Sequence, residues 1–220
     1  MSARDEILGR IRGALADHRV NRPAPTPYAG TGVAADERVG LGLNGADSDA
    51  LTERFIVKAT QVSATSVRVD TLDDVPAAVT AYLGEGAFVQ APLLIAAALA
   101  SLPWPEHAAE QAADPRADGM TSVTPCFAAI AETGSVVLLS SPKTPTSLNF
   151  VVAQHIVVVK RSAVAATMEQ VWSRLRASGQ PMPRTINVVT GPSRTADVEQ
   201  VVQVGVHGPQ RMHLIVCNDA

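Results

Sequence analysis

Apolar residues recur along this chain in two rhythms, a 3.6-residue spacing and short unbroken runs, and their alternation predicts the architecture. The helical rhythm comes first. Ile7, Leu8, Ile11 and Leu15 share one face of a helix predicted over residues 2–16, with Ser2 as N-cap and Asp5 three residues on. Arg22-Pro23-Ala24-Pro25-Thr26-Pro27 then forbids helix continuation. Residues 1–46 therefore read as an arm. Its apolar stripe has to be buried, either on the main domain or on another subunit, the second case making the arm a homo-oligomer contact.

From Asp47 onward strands and helices alternate, and residues 47–220 read as one α/β domain. A helix runs through Leu51, Phe55, Ala59 and Val62, Ser66 to Val69 form a strand, and a second helix spans Leu72 to Leu83. Phe88-Val89, Leu93 to Leu99, Val136 to Leu139, Ile156 to Val159, Ile186 to Val189 and Leu214 to Val216 supply further strands, apolar on both faces. Such strands belong to a mostly parallel sheet flanked by helices, since a sheet with one wet face alternates apolar with polar. A doubly wound arrangement is expected, with ligands beyond the carboxyl ends of the strands, in the loops after Leu139 and Val189.

Composition narrows the function. The 220 residues carry a net charge of −3, with Lys and Arg dispersed, so no basic stripe attracts nucleic acid. Cys126 and Cys217, without CxxC spacing, are too few thiolates for an iron–sulfur cluster or a four-cysteine zinc site, and both sit in apolar surroundings. The N-terminus lacks the apolar core of a secretory signal. Residues 86–105 carry no charge, but Gln90, Pro92, Pro103 and Pro105 break them into a strand and a buried helix rather than a membrane span. A cytoplasmic protein is expected.

The densest chemistry lies in Thr190 to Pro209, TGPSRTADVEQVVQVGVHGP. Gly191-Pro192-Ser193 reads as a sharp turn between the strand ending at Val189 and a helix over residues 196–202. In one reading the helix N-terminus offers free backbone N–H groups to an anion, with Arg194 adding a guanidinium and Thr195 lying beside it. In the other, Ser193 merely caps the helix. His207, between Gly205 and Gly208, can serve as general acid, general base or hydrogen-bond donor. Ala131-Glu132-Thr133-Gly134-Ser135 precedes a strand; there Glu132 either approaches a substrate across small neighbours or is a surface carboxylate beside a glycine that relaxes the backbone. Thr146 has the position of a helix cap. His155, His207 and His213 are dispersed, and no pair has metal-ligand spacing, so no metal site is expected. GxSxG and Walker motifs are absent.

Three blocks resemble the lactate-utilisation protein C family, the LUD-domain proteins: Glu132-Thr133-Gly134-Ser135; Thr146-Ser147-Leu148-Asn149-Phe150 with His155-Ile156-Val157-Val158-Val159; and Gly191-Pro192-Ser193-Arg194-Thr195-Ala196-Asp197 with Gly205-Val206-His207-Gly208-Pro209. One departure is Val151-Val152, where the family usually has Leu-Pro before the histidine, which weakens a role for His155. The resemblance implies a fold like that of the glucosamine-phosphate isomerase, ribose-phosphate isomerase and CoA-transferase group (NagB/RpiA/CoA transferase-like). It also implies work beside iron–sulfur partner subunits that oxidise L-lactate to pyruvate. In that setting the chain is an accessory subunit with no cofactor of its own, binding a small carboxylate or phosphate through Thr133, Gly134, Gly191, Ser193, Arg194, Thr195 and Gly208. The alternative is a stand-alone enzyme, with Glu132 acting like the CoA-transferase glutamate nucleophile and His207 assisting, or a binder of phosphate ligands.

Overall fold

A computed structural model describes residues 3–19, 47–84, 93–105, 115, 119–195, 203–205 and 207–218. The chain divides into two compact units, Met1–Val39 and Gly40–Ala220. In the first, helix α1 spans Ala3–Arg19, with Asp5 and Glu6 in its first turn, where the helix dipole favours negative charge. Ile7 on the predicted stripe is 58% exposed. The expected N-cap Ser2, the proline-rich segment and the side chains of Ile11 and Leu15 lie outside the described residues.

The second unit opens with α2 (Ser48–Gln61), whose first turn is closed by the Asp47 carboxylate accepting from the Ala50 N–H at 2.7 Å. Strand β1 (Thr65–Val69), helix α3 (Val75–Gly84) and β2 (Leu93–Ile95) follow, then β3 (Thr121–Pro125), β4 (Ala128–Ile130) and β5 (Ser135–Leu139). The short helix α4 (Ser147–Phe150) leads into β6 (Gln154–Lys160), β7 (Val164–Ala165) and α5 (Met168–Ala177). Strands β8 (Ile186–Val189), β9 (Arg194–Thr195), β10 (Gln203–Val204) and β11 (Arg211–Cys217) complete the order. Residues 88–89, expected as a strand, lie outside the described residues, and residues 97–99 form a 3₁₀ turn rather than continuing β2.

The mostly parallel sheet is present: β1-β11-β6-β3-β2, with every pairing parallel. Its second cover differs from the expected helical layer. Strands β7-β4-β5-β8 form another sheet, antiparallel at β4–β5 and β5–β8, so the segments read as Val136 to Leu139 and Ile186 to Val189 leave the parallel sheet. Val136 to Leu139 is apolar on two faces because β5 is covered on both sides, whereas Val188 of β8 is 40% exposed. Val157, Val159, Leu214 and Val216 on one face of the parallel sheet pack with Val136 and Leu138 of β5 and with Phe55 and Ala59 of α2. Ile156, Val158 and Ile215 on the other face pack against Val75 and Val79 of α3. The outer face of the second sheet, Ala128, Ile130 and Val137, meets Val171 of α5.

Strand β3 was not expected, because Thr121, Ser122 and Thr124 read as polar. They are buried but hydrogen-bonded: Ser122 Oγ donates to the Leu148 carbonyl at 2.5 Å, and Thr124 Oγ1 lies 2.7 Å from His155 Nε2. The turn Gly191-Pro192-Ser193 leads into β9 rather than directly into a helix, and β9 pairs antiparallel with β10. The helix expected over 196–202 lies outside the described residues.

Gly134 closes the β4–β5 hairpin with φ +73°, and a Cβ there would run into the backbone of Lys58 and Ala59 in α2. Gly179 has a similar φ, +64°, but open space around it. The positive φ alone costs a non-glycine residue about 1–2 kcal/mol, and overpacking adds about 1–3. Gly134→Ala is therefore expected to lose about 3 kcal/mol in urea unfolding while Gly179→Ala loses about 1; equal losses would mean that the contact with α2 yields freely.

Candidate functional site

Two loops that follow one another in sequence meet at the amino edge of the parallel sheet. Ser193 N–H donates to the Pro209 carbonyl at 2.9 Å, and Gly205 N–H donates to the Ser193 carbonyl at 3.0 Å. Gly208 lies against Ser193: a Cβ on it would stand 3.2 Å from Ser193 Cβ. Between these loops and the sheet is a cavity of about 250 Å³, lined among others by Phe150, His155, Gly191, Ser193, Arg194, His207, Gly208 and Met212. His155 and Met212 are the second residues of β6 and β11 and register partners, so the cavity sits over the amino ends of these strands. Parallel strands were expected to present their carboxyl ends. Of the two expected loops, the one after Val189 does reach this cavity, whereas Ser140 to Thr146 does not line it.

The geometry changes how an anion would be held. Ser193 N–H is spent on Pro209, and Arg194 and Thr195 are extended rather than the first turn of a helix. What the loop offers instead is the Arg194 guanidinium, which donates to the Ser63 hydroxyl beyond α2. Ser63 takes one of the five N–H donors such a group carries. Gly191 adopts φ +74° and is pressed against the Val62 carbonyl, which leaves no room there for a side chain. Thr195 belongs to β9, and its side chain lies outside the described residues.

Glu132, Thr133 and Gly134 do not line this cavity. They form the β4–β5 turn, where the Glu132 N–H donates to the Ala166 carbonyl at 3.1 Å. A chain of hydroxyls nevertheless links the turn to the edge of the cavity. Thr133 Oγ1 lies 2.6 Å from Ser135 Oγ, which lies 2.7 Å from Thr190 Oγ1, the residue before Gly191. Thr146 occupies the N-cap of α4 without capping it, and its hydroxyl lies 3.1 Å from that of Thr185.

Two residues that sequence reasoning set aside contribute most to the interior. His155 is buried, and burial drives its imidazole down to about 3. His213 is also buried, stacks on Tyr82 with ring centroids 3.9 Å apart, and has Nδ1 2.7 Å from Thr65 Oγ1. Burial lowers its imidazole to about 4, and its Nε2 has no hydrogen-bond partner among the described residues. The signal for His155 was its place directly before four β-branched residues, which puts it inside a central strand. Cys217 is fully buried, and burial pushes the Cys126 thiol up to about 12, far from a thiolate nucleophile. Among the described residues no cluster of three or more His, Cys, Asp or Glu is placed to hold a metal, and no helix is long and apolar enough to cross a membrane.

Residues 52–217 match the family profile described as LUD domain. The chain belongs to the LUD domain family. A solved structure, a DUF162 family protein from Deinococcus radiodurans, shares the LUD domain fold with a TM-score of 0.53 at 20% identity, covering 79% of this chain and 99% of that one. Over 93 residues this LUD domain is 40% identical to lactate utilization protein C of Halalkalibacterium halodurans, covering 41% of this chain and 40% of that relative. It is 38% identical over 93 residues to lactate utilization protein C of Bacillus subtilis, covering 41% and 39%. The match spans about two-fifths of the length of these relatives.

Both buried histidines titrate below the unfolded value near 6.5, so acid protonates the unfolded chain first. Their contribution to stability is complete above pH 6.5 and is lost as pH falls towards about 4 for His213 and about 3 for His155. The slope in that window is about 1.4 kcal/mol per pH unit for each. Urea midpoints between pH 7.5 and 5 should fall accordingly, and His155→Gln should remove about half of this dependence; an unchanged slope would show that His155 does not stay neutral in the fold.

Proposed function

We propose that this LUD domain is an accessory subunit of a cytoplasmic, iron–sulfur-dependent L-lactate oxidation system, carrying no cluster itself and binding a small carboxylate. One observation carries the ligand part of this reading. The loops at residues 191–195, 203–205 and 207–209 bring Arg194, Ser193 and His207 to one cavity whose lining includes no carboxylate among the described residues, in a chain of net charge −3. A three-carbon hydroxy acid or keto acid fits such a place. Its carboxylate would pair with the Arg194 guanidinium in two parallel N–H···O bonds, and its hydroxyl or carbonyl would face the His207 ring. Phe150 and Met212 supply the apolar wall. The partner part of the reading is supported by the names of the relatives and by a cysteine count of two, too low for the chain to ligate a cluster alone. Covalent acyl transfer at Glu132 draws no support from the cavity, because that residue is not in its lining.

Isothermal titration of the full chain with L-lactate and with pyruvate tests the ligand. Binding of at least one is expected, weakened about tenfold or more by Arg194→Ala, the loss of a charge-assisted pair. No heat with either anion at millimolar concentration would remove the carboxylate. The purified chain should be colourless and inactive alone, and lactate oxidation should appear only on adding cluster-bearing proteins from the same cell; turnover by the chain alone would end the accessory role.

A further inference from the structure

A second cavity of about 310 Å³ lies one strand further along the same sheet edge, lined by Ser63, Thr65, Tyr82, Pro192, Arg194, Gln210, Arg211 and Met212. Thr65 and Arg211 are the first residues of β1 and β11, as His155 and Met212 stand near the heads of β6 and β11. The two cavities share Pro192, Arg194 and Met212 as a common wall.

The chemistry of the second cavity is distinct from that of the first. Two guanidinium groups, Arg194 and Arg211, border it, together with the hydroxyls of Ser63, Thr65 and Tyr82. Among the described residues no carboxylate lines it, although the chain has 21 Asp and Glu against 18 Lys and Arg. Tyr82 Oη donates to Gln154 Oε1 at 3.3 Å, and burial raises its phenol, against the opposing influence of Thr65 and Arg211, so the group stays protonated at neutral pH. Arginine pairs and hydroxyl donors around one hollow suit an oxyanion with three or more acceptor oxygens better than a planar carboxylate. Size points the same way. Ligand pockets commonly measure roughly 300–1,000 Å³, and a three-carbon acid in the first cavity leaves the second empty of solute.

We propose that the second cavity is a phosphate-class oxyanion subsite, and that the molecule filling both cavities is a short metabolite with a carboxylate at one end and a phosphoryl group at the other. This deepens the carboxylate reading of the first cavity and rests on it only for the molecule's other end. Arg211 serves the phosphoryl group, His207 serves the carboxylate end, and Arg194 stands between the two charges. The added phosphoryl contact is what separates such a metabolite from lactate.

Titration calorimetry of the full chain with inorganic phosphate, D-glycerate and 3-phosphoglycerate tests the assignment. Phosphate is expected to bind, and 3-phosphoglycerate to bind at least about tenfold tighter than glycerate. Arg211→Gln should weaken phosphate and 3-phosphoglycerate about tenfold or more while leaving glycerate within about twofold, and Arg211→Lys should recover part of the loss. Thermal melts of both variants within a few degrees of the parent establish that folding is intact. Phosphate binding lost in Arg211→Gln supports the subsite even if glycerate and lactate fail, in which case the first cavity's carboxylate reading falls alone. Absence of phosphate binding, or phosphate affinity unchanged by Arg211→Gln, overturns the subsite even if lactate binds.

Discussion

The parallel pairing of β6 with β11 is the constraint on which the rest depends. Seven successive register partners, from Gln154 with Arg211 to Lys160 with Cys217, lock two central strands side by side. Because the side-chain period of a strand is two, this register decides that Val157 and Leu214 face the second sheet while Ile156 and Ile215 face α3. A slip of one residue would exchange the two cores. The same register sets His155 beside Met212 at the sheet edge, and so fixes the floor of one cavity and a wall of both. Site geometry is here a direct product of core packing.

Above that floor backbone bonds tie the loops to each other, and the Arg194 side chain ties one of them to Ser63. The Ser193 bond to Pro209 and the Gly205 bond to Ser193 tie two segments whose side chains then point where the backbone sends them. This explains why glycines matter on both loops. Gly191 lies on the Val62 carbonyl and Gly208 on Ser193, and both contacts are distances that a larger residue would widen. In the proposed anion site the positive charge would come from a guanidinium carried on a strand.

The parts legible in the sequence were those whose physics is local. Ile156 to Val159 and Leu214 to Val216 are unbroken β-branched and leucine runs, and both are central strands. The stretch around Gly191, Arg194 and His207 announced itself through turn residues beside charged ones, and those three do line one cavity. What escaped was set by distant partners. Strand β3 looked polar because its hydroxyls find Leu148 and His155 only in the folded chain. Ala128–Ile130 is too short to read as a strand, and without it the Glu132 turn had no place in the fold. Thr65, Tyr82 and Arg211 are separated by long stretches of sequence, and only the pairing of β1 with β11 gathers them.

That same pairing has a consequence for how the molecule is made. Among the described residues β1 pairs with β11 alone, and Thr65 meets His213 across 148 residues of chain. A ribosome therefore releases β1 long before this neighbour exists, and that pairing waits until synthesis has passed Cys217. Contacts of such long sequence separation form late and slowly. Meanwhile the nascent chain carries a strand with open backbone groups, a natural client for a chaperone that covers exposed edges.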